Sequence, residues 1–536
     1  MEFLRTDDST IYWSLCFVAA YAISKLLKQQ SLVHPLLLGR QADVGRVRMP
    51  SESPVYRNYA TGTVGRLPER PKPEVRTLSD IVSNGKASPK RLWSKVTTNA
   101  ELLEQAQALG YGLIQIAGLV PQESTALLLL KDSLGTVWVF ATTDRTLMIC
   151  TEFLITDLAL SKISVTSFTM STPSLLSKSL ESFTPTTIFI DQSILETLLE
   201  HISDVHQSAH HSIIVFGDEK QASVSLSQKL GIRILRWEDI LEKGKTVLKP
   251  TVPPNDPNAI FSIYLYETSK GELQGTQLTH VNVTAGVTSA RLFFPANDAM
   301  TPTDTLLSIF QLSTPFGRAL ALATARYLYL SMERRNTYGT QLEIRDPSIN
   351  EILDFCEENA VSPTVMALNI LQAAKTNFLY ALGWRHKLAG LAGGFLTKTS
   401  FWDNLVWEKA RVKVLDKLEL SLRGIIMSDG RQFDGTEIDQ ARVSLSVPIL
   451  STYSHPLVCG PVLMTHPLDL QSFPTESGSI AHVGAPAPNI EVKLVGIDDK
   501  SVEQGNDPSG ELRRPRTALF ARPLGDSSLV ASTTAQ

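Results

Sequence analysis

An α/β protein with two parallel-sheet halves and a small β-rich part is what the residues predict, and three patterns carry that reading. From about residue 93 short apolar runs alternate with longer helical patterns, as strands joined by crossover helices do. The alternation breaks at the Pro-rich stretch KPTVPPNDPN, residues 249–258, and then restarts. Beyond about residue 477 apolar and polar residues alternate singly, which suits short antiparallel strands. The chain has 536 residues, 43% hydrophobic and 19% charged, which excludes wholesale disorder and fibrous repeats. A net charge of -4 offers no global attraction for nucleic acid, so no nucleic-acid partner is expected. Cys16, Cys150, Cys356 and Cys459 are widely spaced with no CxxC, which excludes a disulfide scaffold or zinc ribbon and suits a reducing compartment.

The chain opens on an uncharged run, STIYWSLCFVAAYAIS, residues 9–24, and the apolar reading extends through Lys25 to Leu27 because a lysine stem can hold its ammonium outward. A helix over 11–27 would be about 26 Å long, close to a thin bilayer of about 27 Å. Residues 1–30 are therefore expected to be a membrane anchor with one transmembrane helix. Glu2, Asp7 and Asp8 precede it with Arg5 alone, whereas Lys25, Lys28, Arg40, Arg46 and Arg48 follow, so the positive-inside bias places the body in the cytosol. The alternatives are an interfacial or docked helix and a signal peptide cut after Ala20-x-Ala22, although the basic n-region of a signal is missing. Asn282 begins the one N-x-S/T sequon, which a luminal body would offer for glycosylation.

Residues 31–92, with Arg and Pro in quantity as in RLPERPKPEV, read as a leader and linker. In the first half, 93–250, TALLLL, TVWVFA, TIFID and SIIVF read as strands, and NAELLEQAQALG and SILETLLEHISD as helices. In the second, 251–476, IFSIYLY reads as a buried strand, HVNVTAGVTSARLFF as a helix and GIIMS as a further strand. Residues 477–536 hold IEVKLVGI and GELRRPRTALFARP, read as short strands, and a frayed tail without a peroxisomal tripeptide.

The segment LYETSKGELQGTQLTH, 265–280, lies between that buried strand and that helix. A polar Ser/Thr/Gly loop placed there can wrap amides and hydroxyls round phosphates at a helix N-terminus. It resembles the phosphate loop of the adenylate-forming superfamily, roughly Thr-Ser-Gly-Thr-Thr-Gly-x-Pro-Lys-Gly with a Leu-Thr-His ending. Gly271, Gly275, Leu278, Thr279 and His280 fall in place, while Glu267, Thr268, Lys270, Leu273 and Gln274 depart, Gln274 standing at the phosphate-facing Lys. Further segments follow in the order of the long-chain fatty acyl-CoA synthetase branch. LSIFQLSTPFGRALA, 307–321, is similar to its Leu-Ala-His-Ile-Phe-Gly-Arg element, keeping Phe316, Gly317 and Arg318 with Thr314 in place of the histidine. PTVMALNI, 363–370, and the run into Ser428 and Gly430 resemble further family stretches, as do GSIAHVGAPAPNIEVKLVGID, 478–498, and SGELRRP, 509–515.

Over roughly residues 93–520 the resemblance implies the large N-terminal domain of adenylate-forming enzymes and ATP-dependent activation of a fatty acid to its acyl-CoA. It implies ATP and magnesium as cofactors and CoA as co-substrate. Ser269, Gly271, Gly275, Thr279, His280, Ser428, Gly430 and Tyr453 are the implied nucleotide-binding positions, and no catalytic or metal-ligating residue is assigned. Where the family has Tyr-Gly-x-Thr-Glu, this chain has LSTYSHPLVCGPV, 451–463. Tyr453 stays, but Ser454, Pro456 and Leu457 replace Gly, Thr and the glutamate that would hold magnesium. The family's hinge and lysine-bearing C-terminal domain do not follow before Gln536. The expectation is an acyl-CoA synthetase-like protein impaired as a ligase. The alternative is a noncatalytic acyl- or partner-binding scaffold at the endoplasmic reticulum or peroxisomal membrane. Expected partners are the membrane through residues 11–27, a fatty acid and an active acyl-CoA synthetase, with the endoplasmic reticulum as location and the peroxisome or lipid droplet as alternatives.

Several residues keep two readings. His280 either orients a group near the loop or begins the next helix, and Tyr453 either stacks on a base or packs in a crevice. Arg318 is expected to be structural and GLAGG, 390–394, a turn. His201, His206, His210 and His211 are dense, but positions five apart do not share a helix face, so a solvated helix end is expected there rather than a metal site.

Overall fold

The computed structural model describes residues 8–26, 42–45, 47–58, 70–84, 90–92, 95–129, 149–204, 212–217, 221–268, 270–290, 304–308, 310–327, 331–333, 340–345, 363–415, 422–428, 434–466, 469–470, 480–513 and 522–523. Among them the first half forms a parallel sheet, which IFSIYLY, expected in the second half, joins instead as a further strand. Its strands run in the order Ile260–Glu267, Thr166–Met170, Thr125–Leu129, Thr187–Asp191, Ser212–Phe216 and Arg233–Arg236, all parallel. Two antiparallel strands, Leu273–Thr279 and Arg522–Pro523, extend it at one edge. TALLLL, TIFID, SIIVF and IFSIYLY are therefore strands, buried almost throughout, as sheets covered on both faces require. TVWVFA lies outside the described residues.

Helices cover the sheet. Asn99–Gln115 starts where Thr98 and Glu101 form a capping box, and Gln192–Asp204 follows directly on a strand. Ile149–Lys162 supplies Phe153, Ile155 and Leu158 to the core shared with Leu109, Leu113, Leu128 and Phe189.

The second half departs from expectation. Its sheet is mixed, in the order Ala485–Pro486, Leu463–Met464, Ile449–Tyr453, Leu422–Ser428, Thr340–Arg345, Asp304–Ser308, Ser331–Glu333, Lys90–Leu92 and Lys95–Thr97. Leu422–Ser428 runs parallel to Ile449–Tyr453 but antiparallel to Thr340–Arg345, which in turn is antiparallel to Asp304–Ser308. Apolar runs of this kind record burial on both faces and say nothing of direction. The helices Pro363–Lys375 and Gly435–Leu445 pack over it, the latter capped by Asp434 and Glu437.

Residues 31–92 contribute more than a covering strand of leader. Ala42–Val44 and Tyr56–Asn58 pair with each other, and Tyr56–Asn58 pairs with Glu491–Val495, which also pairs with Glu511–Arg513. This four-stranded antiparallel sheet is the small β-rich part, built from both ends of the chain. Leu78–Ser83 is a short helix with Leu78, Ile81 and Val82 in the core.

Asp8–Leu26 is one helix, and its residues 11–20 are exposed. No described helix is long and apolar enough to cross a membrane, so the expected transmembrane helix is not found. Serine, threonine and tyrosine hydroxyls, with Asp8 and Lys25 at its ends, dilute the apolar run.

Candidate functional site

The putting together of the phosphate-loop segment differs from expectation. Leu273–Thr279 is a strand that pairs back on Ile260–Glu267 as a hairpin, in which Tyr266 faces Gln274 and Glu267 faces Leu273. The Thr268 carbonyl accepts from Gly271 N–H at 2.9 Å, the Thr268 N–H donates to the Glu272 carbonyl at 2.9 Å, and Gly271 takes a φ of +79° that a side chain would strain. Lys178 Nζ reaches Glu267 Oε1 at 2.9 Å and the Gly271 carbonyl at 3.2 Å. The Tyr266 hydroxyl donates to Gln274 Oε1 at 2.9 Å. Gln274, which the resemblance sets at the phosphate-facing lysine, is thus an uncharged amide held by a tyrosine, and at the turn Lys178 is matched by Glu267 while Lys270 is exposed. Gly275 is buried within the second strand, and Ser269 lies outside the described residues.

Thr279 and His280 serve the start of the helix His280–Ala290. Asn282 Oδ1 accepts from Thr279 N–H and from its hydroxyl, both at 2.8 Å, and the Thr279 hydroxyl accepts from Asn282 N–H at 3.3 Å. The side chain of Asn282 is therefore spent on the cap and buried, which makes its sequon a poor reporter of topology. His280 is 2% exposed, stacks on Phe261 at 5.0 Å between ring centroids, and accepts from Leu78 N–H on Nδ1 at 3.4 Å. Burial pushes its pKa down to about 4, against the weaker pull of Asp80 and Asp256. It is a neutral core histidine that ties the helix to Leu78–Ser83.

The other face of this column is Arg318. Its guanidinium lies 5.6 Å from the Phe261 ring and 5.8 Å from the Phe153 ring, with Nε 3.4 Å from Asp157 Oδ2, and both charged groups are 1% exposed. Burial raises the Asp157 pKa, and Arg318 opposes that rise. Arg318 is thus held by its charge pair and by the two rings, and none of its guanidinium nitrogens makes, among the described residues, the structural hydrogen bond expected of it. Thr314 caps its helix, Pro315–Tyr327: the hydroxyl accepts from Gly317 N–H at 3.0 Å, with Pro315 at the first helical position. A Cβ on Gly317 would sit 2.1 Å from the Gln311 carbonyl oxygen, so this turn admits only glycine.

On the mixed sheet the Ser428 hydroxyl meets that of Ser454, just past the end of the neighbouring strand, at 3.1 Å. Tyr453 is half-buried and packs on the cluster of Ala285, Val458, Val462, Ala487, Ile490 and Val492. Leu457, at the position of the magnesium-binding glutamate, is 1% exposed and belongs to the core. The carboxylate a hard cation needs is absent there, so this position does not fit magnesium. Among the described residues no group of three or more His, Cys, Asp or Glu could hold a metal ion. Gly430 lies outside the described residues, as do His206, His210 and His211. Cys459 donates its thiol to the Pro315 carbonyl at 3.4 Å, and burial pushes its pKa up to about 12.

Two motif residues noticed separately, His280 and Arg318, are thus joined through Phe261, while the residues completing the column, Phe153 and Asp157, carry no motif signal. Another cluster was also missed. Lys387 Nζ contacts Asp403 Oδ2 at 2.8 Å and Ser446 Oγ at 2.9 Å and also the Thr397 carbonyl, and Arg411 Nη1 contacts Asp403 Oδ1 at 2.9 Å. Burial lowers the Lys387 pKa to about 8, with Asp403 holding it up.

No family model matches the chain. It is 22% identical over 331 residues to the peroxisomal long chain acyl-CoA synthetase 7 of Arabidopsis thaliana, covering 60% of this chain and 43% of that protein. It is 24% identical over 311 residues to long chain acyl-CoA synthetase 1 of Arabidopsis thaliana, 56% of this chain and 44% of that one. It is 21% identical over 329 residues to human long-chain-fatty-acid--CoA ligase 1, 58% of this chain and 43% of that one. The matched stretch thus spans less than half the length of these relatives. Among solved structures, the adenylation domain of a carboxylate reductase from Mycobacterium chelonae superposes with a TM-score of 0.51 at 15% identity, covering 96% of this chain and 72% of that one. An anthranilate CoA ligase in complex with anthranoyl-AMP gives 0.51 at 13%, covering 84% and 71%. The chain is thus similar in sequence, at low identity, to long-chain acyl-CoA synthetases, and it has the fold of the adenylation domains of adenylate-forming enzymes.

Proposed function

We propose that this is an acyl-CoA synthetase-like protein whose own capacity to activate a fatty acid with ATP is impaired. The buried Leu457 at the magnesium position carries the reading, supported by Gln274, whose amide is tied to Tyr266. Removing one preorganised charge partner of a transferring phosphoryl group typically costs about 10²- to 10³-fold in rate. Losses in one unit need not multiply, but both point the same way. Retention of the fold with a worn nucleotide site favours, as the second reading, a scaffold that binds acyl chains or an active synthetase. Membrane contact through residues 11–27, with the body in the cytosol at the endoplasmic reticulum, belongs to this proposal. The exposed Trp13, Phe17 and Val18 support surface attachment.

Two measurements on the full chain test it. Calorimetry with magnesium-ATP is expected to show no micromolar binding, and radiolabelled palmitate with ATP and CoA is expected to give no palmitoyl-CoA above a no-protein control. Micromolar binding, or thioester formed by the chain alone, would overturn the reading.

A further inference from the structure

We infer that a second, independent surface, the joined outer faces of the helix Tyr380–Ala392 and of residues 401–415, docks on an anionic bilayer. The inner side of this unit is fixed. Tyr380, Trp384 and Trp407 pack together with centroids 5.8–6.3 Å apart, and Lys387 points inward to Asp403. Residues three, four and seven apart share a helix face, so the opposite side of the first helix presents Leu382, Arg385 and Ala389 together, and Phe378 stands exposed in the turn that leads into it. Phe378 is 92% exposed and Leu382 55%. Along the neighbouring segment Phe401 and Leu405 are exposed, and Val412 continues their line on the helix Glu408–Leu415. The two segments are held side by side: Asn377 Nδ2 donates to the Leu405 carbonyl at 2.8 Å, and the His386 ring lies 6.0 Å from that of Trp402.

The charges decide the occupant. Exposed Lys375, Arg385, Lys409 and Lys413 stand among these apolar side chains, and Glu408 is the one exposed acid of residues 363–415, in a chain whose net charge is -4. Protein interfaces exclude lysine from their centres. A bilayer surface suits the mixture, because apolar side chains enter the headgroup boundary while each nearby lysine gains about 1 kcal/mol from anionic lipid. The surface also needs nothing from residues 8–26, so it would serve as the second of the two signals that stable attachment takes.

The test is hydrogen exchange of the full chain with phosphatidylcholine vesicles, with and without phosphatidylserine. Peptides covering 376–413 are expected to become protected only with phosphatidylserine. Lys409→Gln with Lys413→Gln should weaken partitioning roughly thirtyfold, and Phe378→Ser with Leu382→Ser should remove the protection; all four positions are exposed, so the fold is kept. Vesicle binding that protects 8–26 but leaves 376–413 unchanged would overturn the inference and leave membrane contact through the first helix standing. Protection of 376–413 without lipid, growing with protein concentration, would overturn it in favour of contact between copies.

Discussion

At the scale of single residues, the site is governed by burial. His280 has its pKa lowered to about 4 in the fold, against about 6.5 when unfolded, so the unfolded chain binds the extra proton first. Stability conferred by the neutral ring is complete above pH 6.5 and is lost as pH falls towards 4, by about 3 kcal/mol in all. Urea midpoints across that window should fall more steeply for the native chain than for His280→Gln; parallel curves would show that His280 is not the neutral core group described. Asp157→Asn leaves Arg318 buried without its counter-charge and should cost about 3–5 kcal/mol, whereas Asp157→Leu with Arg318→Met should be near neutral, both read from urea denaturation. Leu457→Glu buries a carboxylate and should destabilise the chain without restoring a magnesium site, seen as a lower melting temperature with no gain in ATP affinity. The sequence marked Phe316-Gly317-Arg318 because its order is preserved, yet Asp157 and Phe153 were silent, since a partner far along the chain leaves no local pattern. Gln274 and Leu457 were legible as departures; that one is tied to a tyrosine and the other buried was not.

Among elements, periodicity was a sound guide to type and a poor one to pairing. The helices Asn99–Gln115 and Gln192–Asp204 and the strands Thr125–Leu129, Thr187–Asp191 and Ser212–Phe216 lie where their apolar spacing placed them. The phosphate-loop segment became a hairpin because Lys270-Gly271 forms a tight turn and Leu273–Thr279 can pair back on Ile260–Glu267. No sequence signal told the direction of Thr340–Arg345, and so the second sheet was taken as parallel. In the helical unit over that sheet, Lys387 and Arg411 share the single carboxylate of Asp403. Asp403→Asn should therefore cost about 3–5 kcal/mol, more than Lys387→Met, which removes a cation and leaves Arg411 paired. Equal losses from the two substitutions in urea titrations would mean that the ion cluster carries no special weight.

For the molecule as a whole, the helices His280–Ala290 and Pro315–Tyr327 lie in one continuous core with both large sheets. That core joins Leu128, Ile155 and Phe189 of the first half to Val283, Leu320 and Leu322 of these helices and to Ile426 and Leu450 of the mixed sheet. The fit is close enough that a Cβ on Gly286 would lie 1.9 Å from the Cys459 carbonyl oxygen. Large chains often unfold half by half, but here neither half can open without exposing apolar surface on the other. Leu322 is fully buried in this shared layer, and Leu322→Ala should cost about 2–5 kcal/mol. The loss should appear in both halves at once: with rising urea, exchange protection of strand peptides from 187–216 and from 422–453 should vanish together, at a midpoint lowered equally by the substitution. Two separate midpoints, with only one of them moved by Leu322→Ala, would show that the halves unfold independently and that the shared layer does not couple them.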